Sequence, residues 1–191
     1  MKYVFENGEF VIHDPELDLD FQEKIETGNI IALKRDDGTV YMQSSYKNDL
    51  LHGPSYSYFS NGQKASETWF INGQKTGRAH EYTENGTMIT YRAYNQNVPT
   101  GTWKKWYPTG ILLLSLPFEA GKVHGSVELY HTDGYPIRTT EFSHGRRHGT
   151  DSSWTDDGFL IFCETWVDGE RDLSILDDFF LKSLFPKARK K

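Results

Sequence analysis

Cysteine is almost missing from this chain: Cys163 is the only one in 191 residues. An intramolecular disulfide is excluded and a cysteine-based metal site is not expected. Cys163 reads as a small apolar strand residue. Long apolar runs are missing as well, since no stretch approaches the ~20 residues of a membrane-spanning helix. The first residues, Met1-Lys2-Tyr3-Val4-Phe5-Glu6-Asn7-Gly8, lack the apolar core of a signal peptide. A cytoplasmic location is the expectation. There is no glycine-lysine-serine nucleotide loop, no Gly-x-Ser-x-Gly elbow and no His-Glu-x-x-His helix. No catalytic residue, cofactor or metal is therefore expected. A basic excess is also lacking. The net charge is -6, and the charges over residues 1–28, 29–172 and 173–191 are -6, -3 and +3. A middle so nearly balanced argues against nucleic acid as the partner.

What the chain has is aromatic residues and a period. Aromatics make up 15% of the residues, while all hydrophobic types reach only 37%. That suits a thin sheet, in which each large side chain covers its own patch, better than a thick spherical core. Gly38, Gly62, Gly86, Gly110, Gly134 and Gly158 stand 24 apart. So do Gly53, Gly77, Gly101, Gly125 and Gly149. A third series runs Asp49, Gly73, Asn97, Gly121, Gly145 and Gly169, with Asp and Asn where glycine's φ > 0 is next best tolerated. Internal repetition of this kind defines the architecture before any local propensity does.

Each copy reads as strand, turn, strand, turn. Asn61-Gly62, Asn85-Gly86 and Asp133-Gly134 are hairpin signals. Pro108, two before Gly110, suits the first central position of a type I turn, so a three-residue loop closed by a left-handed glycine is expected. The second turn spans, for example, Asn72-Gly73-Gln74-Lys75-Thr76-Gly77. Two aromatic columns recur: Tyr58, Tyr82, Trp106, Tyr130 and Trp154, and Tyr46, Phe70, Tyr94, Phe118, Phe142 and Trp166. A three-residue loop places both columns on one face. Trp69, Tyr91, Trp103 and Tyr107 then belong to the opposite face.

The expected fold is mainly β: an elongated, single antiparallel β-meander of six 24-residue hairpin repeats over 29–172, with short N- and C-terminal helices as caps. In the N-terminal segment, 1–28, strands around Asn7-Gly8 precede a helix opened by Asp14-Pro15-Glu16. Leu17, Phe21 and Ile25 form its apolar stripe and Gly28 its end. In the C-terminal segment, 173–191, Ser174 and Asp177 resemble a capping box, Leu176, Phe179, Phe180 and Leu184 give an apolar side, and Pro186 stops the helix. A basic tail, Lys187-Ala188-Arg189-Lys190-Lys191, follows.

The stretches YFSNGQKASETWFINGQKTG at 58–77 and YHTDGYPIRTTEFSHGRRHG at 130–149 resemble the variant MORN repeat of bacteria. The likeness covers 29–172. Such repeats make up the YwqK-like antitoxin family and recur among immunity proteins of bacterial toxin systems. The resemblance implies a protein that binds and silences a cognate toxin. Eukaryotic MORN repeats imply the alternative, a scaffold or membrane-peripheral adaptor for which the basic tail would meet anionic lipid.

Two sets of residues are candidate partner contacts. Trp69, Tyr91, Trp103 and Tyr107 are anchors if their face is open, because Trp and Tyr dominate binding hot spots. Glu16, Asp18, Asp20 and Glu23 form an acidic helix face that would steer toward a basic toxin surface. Of seven histidines, His52, His124 and His148 share one turn column with Thr76 and Thr100. A metal stripe would need ligands in adjacent copies, and in this column only His124 and His148 are adjacent. Like His144-Gly145-Arg146-Arg147-His148, they read as polar turns.

Overall fold

In a computed structural model, the described residues are 2–6, 9–13, 23–27 and 30–172, with side chains described from residue 30. They divide into two compact units, Met1–Pro99 with Pro108–Gly110, and Thr100–Tyr107 with Ile111–Lys191. Among the described residues there are strands and turns and no helix.

The first unit begins with a separate hairpin of β1 (Lys2–Glu6) and β2 (Glu9–His13), whose register sets Phe5 opposite Phe10. This matches the hairpin expected around Asn7-Gly8. An antiparallel sheet follows in strict chain order: β3 (Glu23–Thr27), β4 (Ile30–Lys34), β5 (Val40–Lys47), β6 (Leu50–Tyr58), β7 (Lys64–Ile71), β8 (Gln74–Tyr82) and β9 (Met88–Asn95). Strand β10 (Val98–Trp106) starts in the first unit, and its residues Gly101–Trp106, in the second, pair with β11 (Leu112–Glu119). Strands β13 (Gly125–Tyr130), β14 (Pro136–Ser143), β15 (Arg146–Trp154), β16 (Leu160–Val167) and β17 (Glu170–Arg171) continue the meander, and the short β12 (Lys122–Val123) pairs with β11.

The helix expected before Gly28 is corrected over its last turn. Glu23–Thr27 is a strand, and Ile25 lies opposite Ala32. The four-residue spacing of Leu17, Phe21 and Ile25 suggested a helix. Ile25 and Thr27 are β-branched, and the edge of β4 offers them a full backbone ladder. The rest of that segment, and the helix expected in 173–185, lie outside the described residues.

The two turns differ in kind. At the first, Phe59 N–H donates to Gln63 O at 2.8 Å and Gly62 N–H donates to Phe59 O at 3.0 Å. Ser60-Asn61-Gly62 is thus the expected three-residue loop, with Gly62 at φ +81. At the second, two successive residues are left-handed: Asn48 and Asp49, Asn72 and Gly73, Gln96 and Asn97, His144 and Gly145. These are two-residue loops of the type that matches strand twist, so the longer turn expected over 72–77 is corrected: Gln74–Gly77 already belong to β8.

One further irregularity was not anticipated and reverses the assignment of faces. Tyr58 pairs with Lys64, but Ser57 pairs with Ser66, so Ala65 is an unpaired bulge residue. Tyr41, Ile89, Leu113, Ile137 and Ile161 are skipped in the same way. One extra residue inverts the in-out alternation. The Tyr58 column therefore faces away from the Phe70 column, and the single aromatic face expected from the sequence is corrected to two faces.

What is buried is small and largely polar. Ser44, Thr90, Ser115, Thr140, Asp151 and Ser152 are buried, against Leu33 and Ala79 among apolar residues. Ser44 Oγ meets Ser55 Oγ at 2.6 Å, and Ser57 Oγ meets Ser66 Oγ at 2.7 Å, between directly opposed residues. Cross-strand hydroxyl pairs of this kind, together with the backbone ladder, hold the mid-strand rows.

Candidate functional site

On one face of the first unit, cross-strand register makes a row from Gln43 through Tyr56, Glu67 and His80 to Tyr91. Tyr58 and Tyr82 share this face, with ring centroids 6.4 Å from Tyr56 and 6.2 Å from His80. Beside the row lies an open cleft of about 410 Å³ lined by Glu67, Trp69, Thr76, Gly77, Arg78 and His80.

Trp69 sits where the β7–β8 register shifts, between the pairs Thr68–Ala79 and Phe70–Lys75. It stays 44% exposed. It is nevertheless held in place: its Nε1–H donates to Glu67 Oε1 at 2.9 Å, and Lys64 Nζ donates to Glu67 Oε2 at 2.8 Å. The Lys64 hydrogen bond, reinforced by that of Trp69, holds the Glu67 carboxyl below the usual carboxylate range despite burial. Burial pushes Lys64 down, but the bond and charge of Glu67 outweigh it and leave the ammonium raised. Lys64 Nζ also lies 4.4 Å from the Tyr56 ring centroid. Gly77, at φ +94, faces the base of the indole: an added Cβ would lie 3.7 Å from Trp69 Cβ.

Two groups in the cleft are uncommitted. Arg78 is exposed and, among the described residues, its guanidinium makes no hydrogen bond or ion pair. His80 packs on Tyr91 at 5.5 Å between centroids, and its Nδ1 is buried without a hydrogen-bond partner. A fixed indole face beside a free guanidinium can grip a partner side chain carrying an acceptor.

Of the expected contacts, Trp69 and Tyr91 share this face of the first unit. Trp103 lies on the face of Phe118, with ring centroids 4.6 Å apart, so its expected placement on the face opposite that column is corrected. Tyr107 follows β10, and its hydroxyl donates to Tyr130 O at 3.0 Å. Glu23 lies in β3 opposite Lys34, not on a helix. Glu16, Asp18 and Asp20 lie outside the described residues. Arg78, His80, Glu67 and Lys64 were not singled out from the sequence. One signal was available: the column Pro54, Arg78, Thr102, Ser126 and Thr150 has a single charged member.

A repeated hairpin sheet with an open, aromatic-lined face defines a repeat-based binding scaffold. Residues 99–120 match the family model of the MORN repeat variant, which supports a MORN-repeat protein. No match to the chain is found among curated proteins.

Proposed function

We propose that the chain is a non-catalytic binding protein, that its partner is a protein, and that the partner anchors in the Trp69–Arg78 cleft. The observation that carries this is the state of Trp69, exposed yet already fixed by Glu67 and Lys64. An indole ordered before binding loses little conformational entropy on contact, and Trp, Tyr and Arg are the commonest hot-spot residues. The finer reading is that the partner is a cognate bacterial toxin. Its support is the resemblance of the repeats at 58–77 and 130–149 to those of immunity proteins. The acidic stretch Glu16, Asp18, Asp20 and Glu23 would add steering toward a basic toxin surface.

The test is co-expression with a toxin domain encoded beside this gene. Restored growth and a 1:1 complex, both lost in Trp69→Ala and Arg78→Glu, are the expected results. Failure of the unaltered protein to protect or to co-purify overturns the toxin reading. Salt-sensitive binding to anionic vesicles in its place would favour the membrane-scaffold reading.

A further inference from the structure

We propose that Glu119, His124 and His144 form a site for one divalent transition-metal ion of the zinc class. Glu119 ends β11 and lies opposite Lys122 across a two-residue turn, and His124 follows β12. His144 opens the next two-residue turn at φ 50. Topology thus brings a carboxylate and two imidazoles from successive hairpins to one point. One potential ligand atom from each residue lies within 4.8 Å of the other two.

The separations suit coordination. His124 Nε2 stands 3.3 Å from Glu119 Oε2. Two ligands on a tetrahedral zinc with bonds of ~2.0–2.1 Å are about 3.3–3.4 Å apart. The two rings meet edge-on, with centroids 4.9 Å apart at 72°. Ser143 Oγ contacts His144 Nδ1 at 3.0 Å, which orients the ring and leaves Nε2 as its ligand atom. His124 Nδ1 accepts the His144 N–H at 3.4 Å. With metal on Nε2 the ring proton moves to Nδ1 and that long contact is given up. Glu119 and His124 have side chains 64% and 38% exposed, so both have room to turn onto an ion as that contact is released. Imidazole with carboxylate suits zinc better than magnesium or calcium. Three protein ligands leave a fourth position for water or a partner's side chain.

The other copies separate this site from ordinary turn chemistry. His52 and His148 accept from the Asn72 and Asp168 amides at 3.4 Å, and Thr76 Oγ1 does the same for Gln96. That contact needs neither a second histidine nor a glutamate. At the positions of Glu119, His124 and His144, the other copies carry Lys47, His52 and Asn72, or Ile71, Thr76 and Gln96, or Asn95, Thr100 and Ala120, or Ser143, His148 and Asp168.

The same comparison supplies variants that keep the turns. His124→Thr and His144→Asn install residues already present at Thr76 and Asn72. Calorimetric titration of the full chain with zinc chloride should show one equivalent bound. Each variant should weaken binding at least about tenfold, and the ring nitrogens of His124 and His144 should shift together in NMR spectra. His52→Thr should leave binding unchanged. Absence of saturable binding overturns the proposal. So does binding insensitive to both site variants, or weakened equally by His52→Thr, which would assign the ion to scattered histidines.

Discussion

Arg138 grips Asp151 with two parallel hydrogen bonds, Nε–H to Oδ1 at 3.0 Å and Nη2–H to Oδ2 at 2.8 Å. Asp151 is 1% exposed, and it also accepts from Thr140 Oγ1 at 2.8 Å, with Arg147 Nη1 3.5 Å away. In Arg138→Met the carboxylate keeps only Thr140 and the more distant Arg147. Removing one partner of a buried pair costs about 3–5 kcal/mol. The Arg138 side chain is 41% exposed, so the expected loss is smaller, about 2–3 kcal/mol. The urea midpoint of the variant measures it.

The same pair gives a pH dependence. Burial raises the Asp151 carboxyl, but the hydrogen bonds of Arg138 and Thr140 and the charges of Arg138 and Arg147 outweigh it and hold it below the usual range. The native state then binds fewer protons than the unfolded chain. The contribution is complete above the ordinary carboxylate pKa of about 4 and is lost as pH falls through the lower native value. Urea midpoints taken from pH 6 downward should fall, and the fall should be shallower in Arg138→Met. Equal slopes in the two proteins would contradict the assignment.

Gly149 adopts φ +103, and an added Cβ would collide with Glu141, whose Oε2 accepts the Thr150 amide at 2.6 Å. Gly149→Ala should destabilise by about 1–3 kcal/mol. Gly101 is left-handed at φ +62, and an added Cβ there would meet nothing within 4 Å. Gly101→Asn should cost under about 1 kcal/mol. Thermal unfolding of the two variants decides the order.

Deletion of Ala65 removes the bulge between the Tyr58–Lys64 and Ser57–Ser66 pairs. Either Ser66–Ile71 turn over or the register slips. The expected outcome is loss of cooperative unfolding for the first unit, whereas Ala65→Ser should leave a sharp transition. Near-ultraviolet circular dichroism during melting distinguishes them.

For binding, Trp69→Ala should weaken the partner complex by about 2–4 kcal/mol. Its melting temperature should shift little, because an exposed indole contributes little to folding. A calorimetric titration paired with a melt reads both.

Much of the fold is legible because a turn writes its φ into the residue type. Gly62, Asp49 and Asn97 are all left-handed, as their composition indicated. The bulge is illegible for the converse reason. Ala65, Ile89 and Leu113 are ordinary strand residues, and nothing in their chemistry marks them as unpaired. From that one omission follow the misplacement of Trp103 and the merging of the two aromatic columns. Of the cleft, Trp69 and Tyr91 are visible in the sequence. Arg78 and His80 are not, because they occur once, and a reading tuned to repetition passes over what breaks it.

In the second turn of a copy, the second residue donates its amide to a carbonyl 22 residues earlier: Gly73 to Leu51, Asn97 to Lys75, Gly145 to Val123 and Gly169 to Arg147, at 2.8–2.9 Å. The bond is backbone to backbone, so it tolerates sequence drift in the strands it joins. A duplicated or deleted block of 24 residues would regenerate the same bond at its seam. Chains of this design can therefore change length by whole copies, and a lineage could lengthen its binding face without inventing a new junction.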